Sequence, residues 1–211
     1  MYGDSITCGY GNEDTTGKDS RTGHFENNYL TFGAITARHF DAQFSCIATS
    51  GIGIMLSWFP TIMPEIYDLT DPHDTKTKWD FNRYTPDIVV INLFQNDSWL
   101  VNKPTHDEFK KRFGNQKPSD DFIIKSYENF VKSIRAKYPN ASLICALGNM
   151  DATKEGSKWP VYIQKAVENL KDKKIYSHFF KYKNTPGHPK VNEQQAMANS
   201  LIAFINKNVA W

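Results

Sequence analysis

A serine between an acidic residue and a run of glycines opens the chain: Gly3-Asp4-Ser5-Ile6-Thr7-Cys8-Gly9-Tyr10-Gly11. A serine hydroxyl attacks a carbonyl carbon only when a tight turn holds its backbone, with amide N–H groups beside it and a base in reach. Gly3, Gly9 and Gly11 permit such a turn at no steric cost, and Thr7 can bond to it locally. Gly-Asp-Ser alone fits a surface turn equally well. A nucleophile also needs a base and donors for an oxyanion, and three later segments carry those residue types. Ser50-Gly51-Ile52-Gly53 offers backbone N–H groups, Gln95-Asn96-Asp97 a side-chain amide, and Pro186-Gly187-His188-Pro189 an imidazole.

These segments lie far apart in sequence, so the fold must bring them to one edge. Asn28 to Phe40 places Leu30, Phe32, Ile35 and His39 at helical intervals, and Gln43 to Ala48 reads as a short strand. Ile54 to Tyr67 is apolar, but Pro60 and Pro64 make it a kinked or interrupted helix. Asp87 to Leu93 is β-branched and suits a strand buried on both faces, ending at a polar turn, Gln95-Asn96-Asp97. Ser119 is an N-cap for a helix through Asp120, Phe122, Ile123, Tyr127, Phe130, Val131 and Ile134, which ends before Pro139.

A strand at Ser142 to Leu147, a helix at Trp159 to Leu170, a strand at Lys174 to Phe180 and a helix at Val191 to Asn206 complete the pattern. This alternation predicts a mostly parallel sheet with helices on both faces, a three-layer α/β/α sandwich. In such sheets ligands bind at the carboxyl ends of the strands. The connections 68–86 and 98–118, which contain Trp79, Tyr84, Trp99 and Phe113, are longer than ordinary loops and read as functional or mobile. Only Met1 to Asp4 precede Ser5, against the ~5–6 residues of a usual strand. The first strand is therefore expected to be truncated.

The 211 residues fit one domain spanning 1–211. With 25 Lys plus Arg against 23 Asp plus Glu, a formal charge of +2, the chain lacks the basic excess of a nucleic-acid binder. No apolar run approaches the roughly 18 residues of a membrane helix, and no signal-peptide pattern is present. Neither nucleic acid nor membrane is an expected partner, and the oligomeric state is not readable. The three cysteines, Cys8, Cys46 and Cys145, have no metal-ligand spacing, and Cys46 and Cys145 lie in apolar runs that suggest burial. His24, His39, His73, His106 and His178 form no metal-ligand pattern either, so no metal site is expected. Aromatic content is high, with 14 Phe, 10 Tyr and 5 Trp, which suits core filling and also a cleft that stacks on sugar rings.

In order and spacing the four segments resemble the SGNH hydrolases, the GDSL esterase/lipase family, through Ser5, Gly51, Asn96 and His188. Gly-Asp-Ser-Ile-Thr-Cys-Gly-Tyr-Gly, then Glu26-Asn27-Asn28-Tyr29-Leu30, Ser50-Gly51-Ile52-Gly53 and the late Gly-His-Pro are closer still to carbohydrate esterase family two. The resemblance implies a flavodoxin-like SGNH hydrolase fold, with Ser5 as nucleophile and His188 as base. The backbone N–H groups of Ser5 and Gly51 and the amide of Asn96 would form the oxyanion hole. It implies removal of acetyl groups from an acetylated carbohydrate through an acyl-enzyme intermediate, without a metal or organic cofactor. It also implies a β-sandwich domain ahead of this one and a secreted or periplasmic location. Tyr10, Trp58 and Trp99 adjoin the expected site and are candidates to stack on a sugar.

Two positions depart from the family pattern. Thr185 stands where an aspartate often orients the histidine, which reduces the expected triad to a dyad with a main-chain carbonyl or, as an alternative, Asp151 behind the imidazole. Phe94-Gln95 replaces the usual Gly-Thr and is expected to narrow the pocket or shift Asn96. Asp4 reads as a hydrogen-bond acceptor within the turn. A lipase or thioesterase of the same superfamily, or a carbohydrate-binding protein with a decayed site, are the alternatives.

Overall fold

The computed structural model describes residues 1–211 apart from Lys18, Arg21 and Trp211. Its strands are β1 (Tyr2–Gly3), β2 (Ile47–Ala48), β3 (Ile88–Asn92), β4 (Ser142–Leu147) and β5 (Ile175–Phe179). All pair in parallel in the order β2-β1-β3-β4-β5. The longer helices are α2 (Phe32–His39), α6 (Asp120–Lys137), α7 (Trp159–Leu170) and α8 (Val191–Asn208). Four short ones, α1 (Ser5–Cys8), α3 (Met63–Ile66), α4 (Gln95–Leu100) and α5 (Asp107–Phe113), lie in the connections.

Strand alternation divides the core. Val89, Ile91, Leu143, Cys145 and Leu147 pack with Ile123, Phe130, Ile134 and Ile163 of α6 and α7. Val90, Ile144 and Ala146 pack on the other face with Phe32 of α2 and Met197, Leu201 and Ile205 of α8. Both faces of β3 and β4 are thus apolar, as a parallel sheet between helical layers requires. The order 2-1-3-4-5 reverses direction between β1 and β3, and a crevice forms outside the strand ends at such a point.

Several boundaries moved for local reasons. The helix expected over Asn28 to Phe40 is a 3₁₀ turn, Asn28–Leu30, followed by α2, because the side chains of Asn27 and Thr31 each cap a separate start. Most of Ile54 to Tyr67 is not helical. The amides of residues 54–56 bond to the Asp97 carboxylate and that of Gly53 to Ser57 Oγ, leaving only Met63–Ile66 to form a helical turn. Gln95-Asn96-Asp97, expected as a turn, begins α4. The strand expected at Gln43 to Ala48 contracts to Ile47–Ala48, and Cys46, lying before it, is exposed, whereas Cys145 is buried. No helix of the described residues is long and apolar enough to cross a membrane.

The short β1 is held from several sides. Tyr2 pairs with Ile47 and Ile91, and Gly3 with Ala48 and Asn92. Gln194 of α8, 1% exposed, donates to the Ile6 carbonyl (3.0 Å) and accepts from the Phe32 N–H (2.9 Å), tying α8 to α1 and α2 at once. A cavity of about 660 Å³, walled by Met1, Phe44, Tyr84 and Ile88, opens at the amino ends of the strands, the opposite edge of the sheet from Ser5. Replacing Gln194 with leucine leaves both buried backbone groups without partners, at a cost of roughly 1–3 kcal/mol each. Urea unfolding of Gln194→Leu is expected to show a clearly lowered midpoint with an unchanged slope; an unaltered midpoint would remove Gln194 from this role.

Candidate active site

One residue, Asp4, separates β1 from Ser5, which begins α1; as its N-cap, Asp4 accepts from the Ile6 N–H (3.0 Å). The loop preceding α8 brings His188 to this serine, with Nε2 2.8 Å from Ser5 Oγ. On the other side of the ring, Nδ1 lies 2.7 Å from Asp19 Oδ2. Asp19 also accepts from the His188 backbone N–H (2.9 and 3.1 Å) and, at 3.4 Å, from Lys190 Nζ, which in turn donates to the Gly11 carbonyl (2.8 Å). A carboxylate only accepts, so Nδ1 carries the proton and Nε2 is free to accept from the Ser5 hydroxyl. The Tyr10 ring lies 4.8 Å from the imidazole.

Burial holds the His188 pKa below the ordinary 6.5, while Asp19 opposes that shift. The imidazole is therefore neutral at pH 7. Partial burial alone would raise the Asp19 pKa, but the His188 N–H, its ring and Lys190 together keep it below the usual carboxylate value. Burial pushes the Asp4 carboxyl up to about 7, against the Ile6 N–H and with a further push from Asp97.

Asp97 organises the second wall. Its oxygens accept from Ile54 N–H (3.0 Å), Met55 N–H (2.7 Å) and Leu56 N–H (3.0 Å), which folds the segment after Gly51 over α4. Burial pushes its pKa up to about 6, against those three amides. Glycine is required at 53, where a Cβ would stand 2.0 Å from the Leu56 carbonyl and 2.5 Å from Asp97 Oδ2. Gly51 has φ +88°, a left-handed conformation that favours glycine. Among the described residues, the N–H groups of Ser5 and Gly51 have no hydrogen-bond partner.

The Asn96 side chain is held on both sides. Trp58 Nε1 donates to its Oδ1 (2.9 Å), while its Nδ2 donates to the Ile52 carbonyl (2.9 Å) and, at 3.4 Å, to Asp4 Oδ2. Trp58, 42% exposed, stands over this group with His106 and Lys103 against its ring. Trp99 is partly buried and donates through Nε1 to Asp151 Oδ2 (3.0 Å).

Two sequence expectations need correction. Behind His188 stands the carboxylate of Asp19 rather than a carbonyl or Asp151, and Asp151 instead bonds to Trp99. No spacing pointed to this partner of His188, since Asp19 lies 169 residues from it in a polar loop. Thr185 is bonded to Glu193 and Lys183. The second correction concerns Phe94-Gln95, which does not narrow the pocket. Phe94 has φ +89° and is fully buried, its ring 4.8 Å from Tyr127 and 5.0 Å from Trp159. Gln95 is buried against Ser98 and Ala152.

No family model matches the chain. It is 33% identical, over its full length, to the cellulase/esterase CelE of Acetivibrio thermocellus, covering 25% of that protein. It is 24% identical, again over its full length, to an acetylxylan esterase / glucomannan deacetylase of Cellvibrio japonicus, covering 57% of it. The chain therefore spans only part of the curated relatives it matches. A solved family two carbohydrate esterase from Clostridium thermocellum, in complex with cellohexaose, superposes with a TM-score of 0.79 at 32% identity, covering 98% of this chain and 62% of that one.

Because Asp19 opposes the burial effect on His188, Asp19→Asn should move the imidazole titration midpoint further below 6.5. Imidazole NMR titration of the two proteins measures this, and an unchanged or higher midpoint would contradict the geometry.

Proposed function

We propose, from the premise that the chain is a relative of the family two carbohydrate esterases in the SGNH superfamily, that it is a serine esterase removing O-acetyl groups from carbohydrate. The observation that carries this reading is the continuous hydrogen-bonded line Ser5–His188–Asp19, at 2.8 and 2.7 Å. Ser5 Oγ attacks the acetyl carbonyl carbon as its proton passes to His188 Nε2. The resulting imidazolium is stabilised by Asp19, which also fixes the ring and its tautomer. Collapse of the tetrahedral intermediate breaks the bond to the sugar oxygen, which leaves with the proton from His188. Water then attacks the acetyl-serine with His188 again as base, releasing acetate and restoring Ser5.

The unpartnered N–H groups of Ser5 and Gly51 supply two oxyanion donors in this scheme. Asn96 supplies a third through the Nδ2 hydrogen that makes only the long 3.4 Å contact to Asp4. Trp58 fixes the orientation of that amide by occupying its oxygen and offers an exposed ring face to a sugar. Tyr10 forms the edge beside His188. The intact Ser5–His188 contact favours turnover over a decayed site that only binds. A polysaccharide substrate places the protein's work outside the cytoplasm.

Purified protein should release acetate from acetylated xylan or glucomannan, and Ser5→Ala should lower p-nitrophenyl acetate hydrolysis on the order of 10³-fold or more. Full activity in Ser5→Ala would end this reading. The acid limb follows from the burial of His188: kcat/KM should fall as pH drops through a midpoint below 6.5, since protonation removes the base. A limb centred above 6.5 would point to a different titrating group.

A further inference from the structure

We propose that Asp14 is a positioning residue for Asp19, its buried carboxylate closing the loop that carries Asp19 to the back of His188. The effect on turnover rests on the esterase reading above; the effect on the imidazole does not. Asp19 lies in the connection between α1 and the 3₁₀ turn Gly23–Phe25, outside any helix or strand. A side chain on such a segment has no regular backbone ladder to hold it, so bonds made across the loop must fix its place.

The mouth of the loop is clamped. Asn12 Nδ2 donates to the Asn27 carbonyl (2.8 Å), and the Asn27 N–H donates back to Asn12 Oδ1 (3.0 Å). The Glu13 N–H donates to the Phe25 carbonyl (3.2 Å), and the Asn12 carbonyl accepts from the Val191 N–H (3.1 Å), which ties the mouth to the start of α8. These bonds stop short of Asp19, and Asp14 spans the remainder. Only 2% exposed, Asp14 accepts from the Thr16 N–H (2.8 Å) and hydroxyl (2.7 Å) on Oδ1, and from the Ser20 N–H (2.9 Å) on Oδ2. One oxygen thus holds the near arm of the loop, and the other holds the amide that directly follows Asp19. The Thr16 hydroxyl, with the Thr16 and Ser20 N–H groups, keeps the Asp14 pKa below the ordinary 3.8, so the group stays ionised around neutral pH, where Asp19 must stand ready.

The placement achieved in this way has little slack. A Cβ on Gly187 would stand 2.6 Å from Asp19 Oδ1, so the carboxylate fits only against a residue without a side chain. In that space Asp19 receives the His188 N–H (2.9 and 3.1 Å) and meets Nδ1 at 2.7 Å. A displacement of about 1 Å away from the ring would stretch the Nδ1 contact beyond hydrogen-bond range. The Ser20 amide is one peptide bond from Asp19, so the bond from Asp14 acts directly on this tolerance.

Asp14→Asn keeps the size of the side chain and one acceptor for Thr16, but turns the other arm into a donor that cannot take the Ser20 N–H. Asp14→Ser, whose hydroxyl serves the turn at Thr16 and is too short to reach Ser20, cuts the same link and stands in if the first variant does not fold. Imidazole NMR should place the His188 midpoint of either variant further below 6.5, the direction expected for Asp19→Asn, because Asp19 no longer opposes the effect of burial. Lys190 and Lys183, which also act on His188, are unchanged in both variants. For p-nitrophenyl acetate, kcat should fall about tenfold or more with KM held within about twofold. In an Asp19→Asn background the same substitution should leave the midpoint in place and change kcat by less than about twofold, since it acts through Asp19. An unchanged midpoint in the single variant, or one that moves equally in both backgrounds as the field of a lost charge would move it, overturns the proposal. A wild type that hydrolyses no acetate ester while the variant shows the midpoint shift removes the esterase reading and leaves the positioning role standing.

Discussion

The candidate site depends on holding Ser5 still at the end of a strand only two residues long. Backbone pairing on both sides of Tyr2 and Gly3 supplies the first restraint, because a central strand is fixed by two neighbours rather than one. The others come from side chains. Asp4 caps α1, Asn92 Nδ2 donates to Thr7 Oγ1 (3.2 Å), and Gln194 reaches from α8 to the Ile6 carbonyl. Each of these groups is buried, so each hydrogen bond that failed to form would leave a desolvated polar atom. That penalty turns a short strand into a rigid mount.

Three carboxylates share the organisation of the candidate site, and their surroundings separate their roles. Asp97 receives three amides and shapes a wall. Asp4, buried deeply enough to carry a raised pKa, serves the cap of α1 and touches Asn96. Asp19, the least enclosed of the three, is held ionised by its bonds to His188 and Lys190 and is therefore the one suited to stabilise an imidazolium. Chemistry that requires a charge lies where solvation and partners sustain it.

Phe94 shows how the same edge accommodates an unusual residue. A non-glycine side chain at φ +89° carries backbone strain of roughly 1–2 kcal/mol. Its ring is fully buried between Tyr127 and Trp159, and burial of an aromatic side chain is worth at least as much. The turn thus keeps the conformation that a glycine would give, while the bulk faces the core and Asn96 stays at the edge.

The strands at 88–92 and 142–147 and the helices at 120–137, 159–170 and 191–208 were legible in the chain, because apolar periodicity and capping residues are local signals. Ser5, Gly51, Asn96 and His188 were legible as residue types in order. Of the interrupted helix expected over 54–67 only Met63–Ile66 forms, since the amides of residues 54–56 are satisfied by a carboxylate about 40 residues away rather than by carbonyls of their own segment. Asp19 was not legible at all: among several acidic residues in a polar loop, only the return of the chain at 188 selects it. Sequence alone therefore determined most of the elements and marked Ser5 as the candidate nucleophile, because those signals are carried by neighbours in the chain. The carboxylate behind His188 and the orientation of Phe94 were decided by tertiary structure, because each depends on groups that meet only after the sheet has formed.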